Sequence, residues 1–308
     1  MALGEFSPAF AAGPPDDLQE LQALEAAKLE AYERPSNLRI TNITIPGREA
    51  QIPARLYQPI DADGNLTPGP HPLFVWFHGG AFIFCDIDMG EAEFTSAEIA
   101  FRANAVVINV DYRLANPDLR FPCCQVDGLD AVAWAIMEAP ELNADKDRVF
   151  VGGASAGACL TGSIALMLRD RGINVAGFLP IYPIAHMLLP EMNEVVRKAV
   201  EGVHYFTPDF SALHNPWLME GMDADDDNHV WPGETEDKSG QAPFLIVHAE
   251  KDSLRMSGEK WTKELRAAGV SVDEFIEPEV PHGYLSFGPT DKGADHTFDL
   301  MARWIKAH

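Results

Sequence analysis

A chain of 308 residues, 46% hydrophobic and 23% charged, has the size and balance of one globular domain, or of a domain carrying a small cap. Its formal net charge of -24 argues against nucleic acid and anionic membrane surfaces as partners, since both would repel it. No stretch approaches roughly 18 uninterrupted apolar residues, and the first residues lack a basic region followed by an apolar core, so neither a membrane anchor nor a signal peptide is expected.

In chain order, residues 1–15 are rich in Gly, Pro and Ala and read as irregular. Asp16 to Glu33 reads as a helix, with two aspartates at its start and Leu18, Leu21 and Leu24 at near-helical spacing. Ile40–Ile45 and Ile52–Tyr57 read as an antiparallel pair turned by Pro46-Gly47. The rhythm then changes to strands alternating with helices. Strands are expected at Leu73–Phe77, Ala105–Val110, Val149–Val151, Val175–Tyr182, Phe244–His248 and Val272–Ile276. Helices are expected near Glu91–Arg102, Val126–Met137, Ala158–Arg171 and Glu259–Ala268, and a last one carries Phe298, Met301, Ala302 and Ile305 on one stripe. This alternation predicts an α/β fold, a mostly parallel sheet with helices on both faces and an antiparallel edge from the first two strands. Residues 184–235, with four prolines and several aromatics, interrupt it and read as an insertion over the sheet's carboxyl edge, where open α/β sheets bind ligands.

The four cysteines, Cys85, Cys123, Cys124 and Cys159, match no zinc or disulfide framework. Free thiols in a cytoplasmic, reducing compartment are the simpler reading. Asp223-Ala224-Asp225-Asp226-Asp227-Asn228 with Glu234 is calcium-loop-like, but it lacks the glycine at the sixth position and reads as a solvated acidic loop. The histidines have no metal-site spacing, so neither a metal nor a cofactor is expected.

The stretch that carries chemistry is Arg148 to Ala158. Val149–Val151 is a buried strand, Gly153-Ala154-Ser155-Ala156-Gly157 fits G-x-S-x-G, and an apolar helical run follows. Strand, tight turn and helix are the context of a nucleophile elbow, with the Ser155 hydroxyl exposed and the Ala156 amide aimed at the same point. A serine needs an imidazole to take its proton and a carboxylate to hold the imidazole's tautomer. Both follow in the order that this architecture uses, each just beyond a predicted strand. Asp252 is the acid, with Glu250 as a rival set closer to its strand, and His282 is the base. Upstream, His78-Gly79-Gly80-Ala81 leaves the strand Leu73–Phe77, and its glycines let backbone amides approach a substrate. The amides of Gly79, Gly80 and Ala156 are then an expected oxyanion hole.

His78-Gly79-Gly80-Ala81, Asp111-Tyr112-Arg113-Leu114-Ala115, Gly153-Ala154-Ser155-Ala156-Gly157, Asp252-Ser253-Leu254 and His282-Gly283-Tyr284 stand in one order over residues 78–284. With them the chain resembles the hormone-sensitive-lipase-like group of α/β-hydrolase carboxylesterases. The resemblance implies an eight-stranded α/β-hydrolase core over 36–183 and 236–308, with a helical cap from segment 1–35 and insertion 184–235. It implies Ser155, Asp252 and His282 as triad, Gly79, Gly80 and Ala156 as oxyanion donors and His78 as support of that loop. The implied partner is a small soluble ester, no cofactor is needed, and a homodimer is compatible with it. Three departures stand out: Ala81 replaces a third glycine, Ala154 replaces an aspartate before the serine, and Asn116 is inserted before Pro117-Asp118. Amide, lactone or natural-product ester hydrolysis fits the same triad. Related non-catalytic plant hormone receptors lack a working triad histidine, and His282 argues against that role; an idle interaction partner has Ala154 as its best support.

Overall fold

The computed structural model describes residues 26–201 and 229–308. The elements run β1 (Leu38–Pro46), β2 (Gln51–Pro59), β3 (His71–Phe77), α1 (Gly90–Ala103), β4 (Val106–Val110), α2 (Cys123–Glu138), β5 (Ala144–Ala154) and α3 (Ala156–Asp170). Then come β6 (Gly177–Ile181), α4 (Glu194–Ala199), β7 (Phe244–Lys251), α5 (Arg255–Ala267), β8 (Val272–Pro281) and α6 (Lys292–Ala307). The strands form one eight-stranded sheet in the order β1-β2-β4-β3-β5-β6-β7-β8. From β4 across to β8 every pairing is parallel. β2 runs against both β1 and β4, so a single strand is reversed and β1 points with the rest. The sequence pattern predicted an antiparallel edge of two strands; residue periodicity carries no sign for strand direction.

The continuous apolar runs are explained by cover on both sides. Leu73, Val75 and Phe77 of β3 pack with Leu129 and Val132 of α2, Leu160 and Ile164 of α3, and Trp261 and Leu265 of α5. Phe74 and Trp76, one residue out of phase, pack with Phe94 and Ile99 of α1 and with Phe298, Met301 and Ile305 of α6. Every residue of β3, β4 and β6 is buried.

Several boundaries differ from the sequence reading. β5 begins at Ala144, before the polar Asp145–Arg148 that hid it, and pairs there with His71. β8 continues past Ile276 to Pro281 through a polar stretch that alternation alone cannot claim. α2 and α5 start at Cys123 and Arg255, earlier than their apolar stripes suggest. Of the helix expected over Asp16–Glu33, residues 26–30 are helical and 16–25 lie outside the described residues. The chain after it is pinned to α1: Tyr32 donates to the Glu98 carboxyl at 2.7 Å, and Arg34 pairs with buried Glu93. The acidic stretch Asp223–Asn228 also lies outside the described residues. No helix among those described is long and apolar enough to cross a membrane. None of the four cysteines is in a disulfide.

Candidate active site

β5 ends at Ala154 and α3 begins at Ala156, leaving Ser155 alone on the corner with φ 54° and ψ -113°. That conformation is strained for a serine and persists only where its surroundings enforce it. Here the Ser155 amide donates to the Ile181 carbonyl at 3.0 Å, tying the corner to β6. The glycines are a matter of space. A Cβ on Gly157 would strike the carbonyl oxygens of Phe77 and His78, and one on Gly153 would strike the Gly157 carbonyl. The Ala156 amide is the first of α3 and has no place in the helix's own ladder.

β7 and β8 deliver the other two groups. Asp252 follows β7 directly and His282 follows β8 directly, and parallel pairing puts both ends at the same edge. His282 Nε2 lies 2.9 Å from Ser155 Oγ, and His282 Nδ1 lies 2.7 Å from Asp252 Oδ2. A carboxylate only accepts, so Nδ1 carries the proton and Nε2 is left to accept from the serine hydroxyl. Asp252 is buried, and its other oxygen accepts the Leu254 amide at 2.9 Å. Tyr182 stands at the end of β6 with φ 38°, and its ring meets the His282 imidazole edge-on, centroids 4.9 Å apart. The rival acid, Glu250, is occupied elsewhere: it accepts the Glu279 amide at 2.7 Å. Glu279 has φ 61°, and the β7–β8 register shifts beside it. Glu250 therefore pins the irregularity that turns the end of β8 toward the site.

The loop after β3 differs from expectation at one position. The Gly79 amide donates to Glu91 Oε2 at 2.7 Å, so it is committed inside the protein and is not an oxyanion donor in this arrangement. Gly80 adopts φ 117°, a region that disfavours any side chain, and its carbonyl closes a turn by accepting from Ile83 and Phe84. His78 is buried, and burial lowers its pKa to about 4, so the ring is neutral at pH 7. Its Nδ1 donates to the Gly79 carbonyl at 2.6 Å, and its ring stacks on Tyr112 at 4.4 Å. Tyr112 in turn donates to the His78 carbonyl at 2.8 Å, and the Ala115 amide to the Phe82 carbonyl at 2.8 Å. Arg113 forks onto buried Asp127. The Asp111–Ala115 motif is thus a brace for the loop at 78–82. The inserted Asn116 closes its own turn by accepting the amides of Asp118 and Leu119.

A cavity of about 350 Å³ is lined by Arg55, Asp86, Asp88 and Asp111, among others. Partial burial, then the charges of Asp86 and Asp88, raise the Asp111 carboxyl to about 6. An acid whose pKa rises on folding costs stability when ionised, so its penalty is absent below about pH 4 and fully present above pH 6. Asp111→Asn is accordingly expected to raise the melting temperature at pH 8 and leave it unchanged at pH 4. Equal shifts at both values would show that Asp111 does not titrate in this way.

Two residues near the site left no mark in the sequence. Glu91 opens α1 and reads as an ordinary first-turn acid, and Tyr182 ends a strand that reads as wholly apolar.

The model of the alpha/beta hydrolase fold family matches residues 74–286. Carboxylic ester hydrolase LipN of Mycobacterium tuberculosis is 31% identical over 301 residues, covering 95% of this chain and 77% of its own. An esterase from Pyrobaculum calidifontis is 28% identical with a TM-score of 0.80, over 95% of this chain and 92% of its own. The thermophilic carboxylesterase EstE1, cloned from a metagenomic library, is 27% identical with a TM-score of 0.82, over 96% and 98%. The elbow, the single reversed strand and these likenesses converge, and the chain belongs to the hormone-sensitive-lipase-like carboxylesterase group of the α/β-hydrolase fold family.

Proposed function

We propose that this carboxylic ester hydrolase works through an acyl-enzyme on Ser155, with His282 as general base and Asp252 as the acid that orients it. The observation that supports this most is the unbroken chain from Ser155 Oγ to His282 Nε2 at 2.9 Å and from His282 Nδ1 to Asp252 at 2.7 Å. Ser155 Oγ attacks the ester carbonyl while its proton passes to Nε2. The carbonyl oxygen becomes negative against the amides of Ala156 and Gly80, where the positive end of α3 also points. The imidazolium then protonates the leaving alcohol, and the C–O bond breaks. Water, deprotonated by His282, attacks the acyl carbonyl and releases the acid, restoring the hydroxyl.

Segments 1–35 and 184–235 form the cap in this reading. The second of them follows β6 and so begins at the edge where Ser155 stands, while β7, parallel to β6, is entered from the opposite edge. Its root is tied down: Ser257 Oγ of α5 accepts the amides of Ala185 and His186 at 3.0 and 3.1 Å. A pocket closed by such a segment, on a chain of net charge -24, suits small uncharged esters over emulsified lipid.

Nitrophenyl esters of increasing acyl length test the reading, together with a fluorescent phosphonate that labels activated serines. Turnover of the short esters, with labelling abolished by Ser155→Ala, is the expected result. Turnover of amides or lactones with none of the esters would displace the substrate class. Absence of labelling in the wild-type protein would displace the mechanism.

A further inference from the structure

The oxyanion loop is anchored from behind by a side chain outside every motif named above. Glu91 lies in the first turn of α1 and is 6% exposed. Its Oε2 accepts the Gly79 amide at 2.7 Å, and its Oε1 accepts Nε1 of Trp76 at 3.0 Å. The position is close to the chemistry. A Cβ built on Gly79 would lie 3.3 Å from Glu91 Oε2 and 3.4 Å from the Cβ of Ser155. The carboxyl thus meets the loop beside the nucleophile, at the residue preceding Gly80.

The choice of side chain follows from the donors. Trp76 and Gly79 each present an N–H, and neither nitrogen can accept. Only a group with two acceptor oxygens serves both. Glutamine offers one oxygen and one NH₂, so a donor would be left facing a donor in a buried site, a costly arrangement. The consequence reaches the next residue. Fixing the Gly79 amide fixes the His78–Gly79 peptide plane, and with the Gly79 carbonyl held by His78 Nδ1 at 2.6 Å the next plane, which carries the Gly80 amide, is set from both sides of Gly79.

We propose that Glu91 is a positioning residue for ester hydrolysis, its carboxyl holding Gly79 so that the Gly80 amide faces the developing oxyanion. This rests on the acyl-enzyme reading above. The carboxyl touches no substrate; it acts by preorganising a donor, and a displacement of about 1 Å there costs on the order of 100-fold in rate.

A double-mutant cycle tests it, with kcat and KM for a short nitrophenyl ester measured on wild type, Glu91→Gln, Trp76→Phe and the pair. In the wild-type background Glu91→Gln is expected to lower kcat about 100-fold while KM changes by less than about twofold, because the oxyanion exists only in the transition state. In the Trp76→Phe background the indole donor is gone, so the introduced glutamine is free to turn its one oxygen to Gly79. There the same substitution is expected to cost less than about 10-fold. Equal losses in the two backgrounds, or no loss of kcat in Glu91→Gln, would overturn the assignment; a general loss of folding gives the former pattern. The contrast between wild type and Ser155→Ala is read in the same assay. Its collapse would remove the acyl-enzyme reading itself, whereas additive losses remove only the role of Glu91.

Discussion

Ser155→Ala is expected to lower kcat by several orders of magnitude, about a millionfold where a triad serine has been removed from another hydrolase. Ser155 Oγ is the group within 2.9 Å of His282 Nε2, and the corner that displays it is enforced by the Ile181 carbonyl and by the close approach of Gly157 to the Phe77 and His78 carbonyls. None of those constraints involves the hydroxyl, so alanine should occupy the same strained corner. The lost hydrogen bond is worth only about 1 kcal/mol to the fold. The melting temperature should therefore stay close to that of the wild type while turnover disappears. A variant that keeps a tenth of the activity would show that another nucleophile does the work.

The second large effect separates two carboxylates that sequence alone set side by side. Asp252→Asn is expected to cost about 10⁴-fold in kcat, as in a related triad where the imidazole was left in the wrong tautomer. The structure supplies the reason that asparagine cannot evade this. Asp252 Oδ1 accepts the Leu254 amide, so the single oxygen of asparagine is required there. Its NH₂ is then directed at His282 Nδ1, which must become an acceptor. The proton moves to Nε2, and the ring can no longer take one from Ser155. Glu250→Gln should behave quite differently. Glutamine keeps an oxygen for the Glu279 amide, so the bend in β8 survives and kcat should fall only slightly. Steady-state kinetics on the two variants decide the matter, and a larger loss in Glu250→Gln would reverse the assignment of the acid.

Much of this site was legible because its parts are constrained by volume and order. Gly153 and Gly157 admit no side chain, so the elbow is written in the sequence as G-x-S-x-G. Asp252 and His282 each leave a strand end at one sheet edge, and a chain-order rule finds them. What stayed hidden is direction. Nothing in the letters Gly79-Gly80 says which amide turns inward, and the structure turns that of Gly79 toward Glu91. Acidic residues on a helix suggest a solvent face, yet Glu91, Glu93 and Glu98 of α1 are all buried, each beside a donor from another segment. The last residues of β8 were missed for a similar reason. Glu277, Pro278 and Glu279 look like a loop, and their place in the strand depends on Glu250, some thirty positions earlier.

The double cover of the sheet bears on how this enzyme can be altered. A strand with one wet side offers alternate positions where polar replacements are cheap, but β3, β4 and β6 offer none, since all their residues are enclosed. Sequence drift in the interior is therefore confined to shape-preserving apolar exchanges. The freedom left to selection, natural or in the laboratory, lies in β1, in β8 and in the connections at the catalytic edge, where exposed residues recur. A library aimed at new acyl groups would waste most of its members in the former set and keep them folded in the latter.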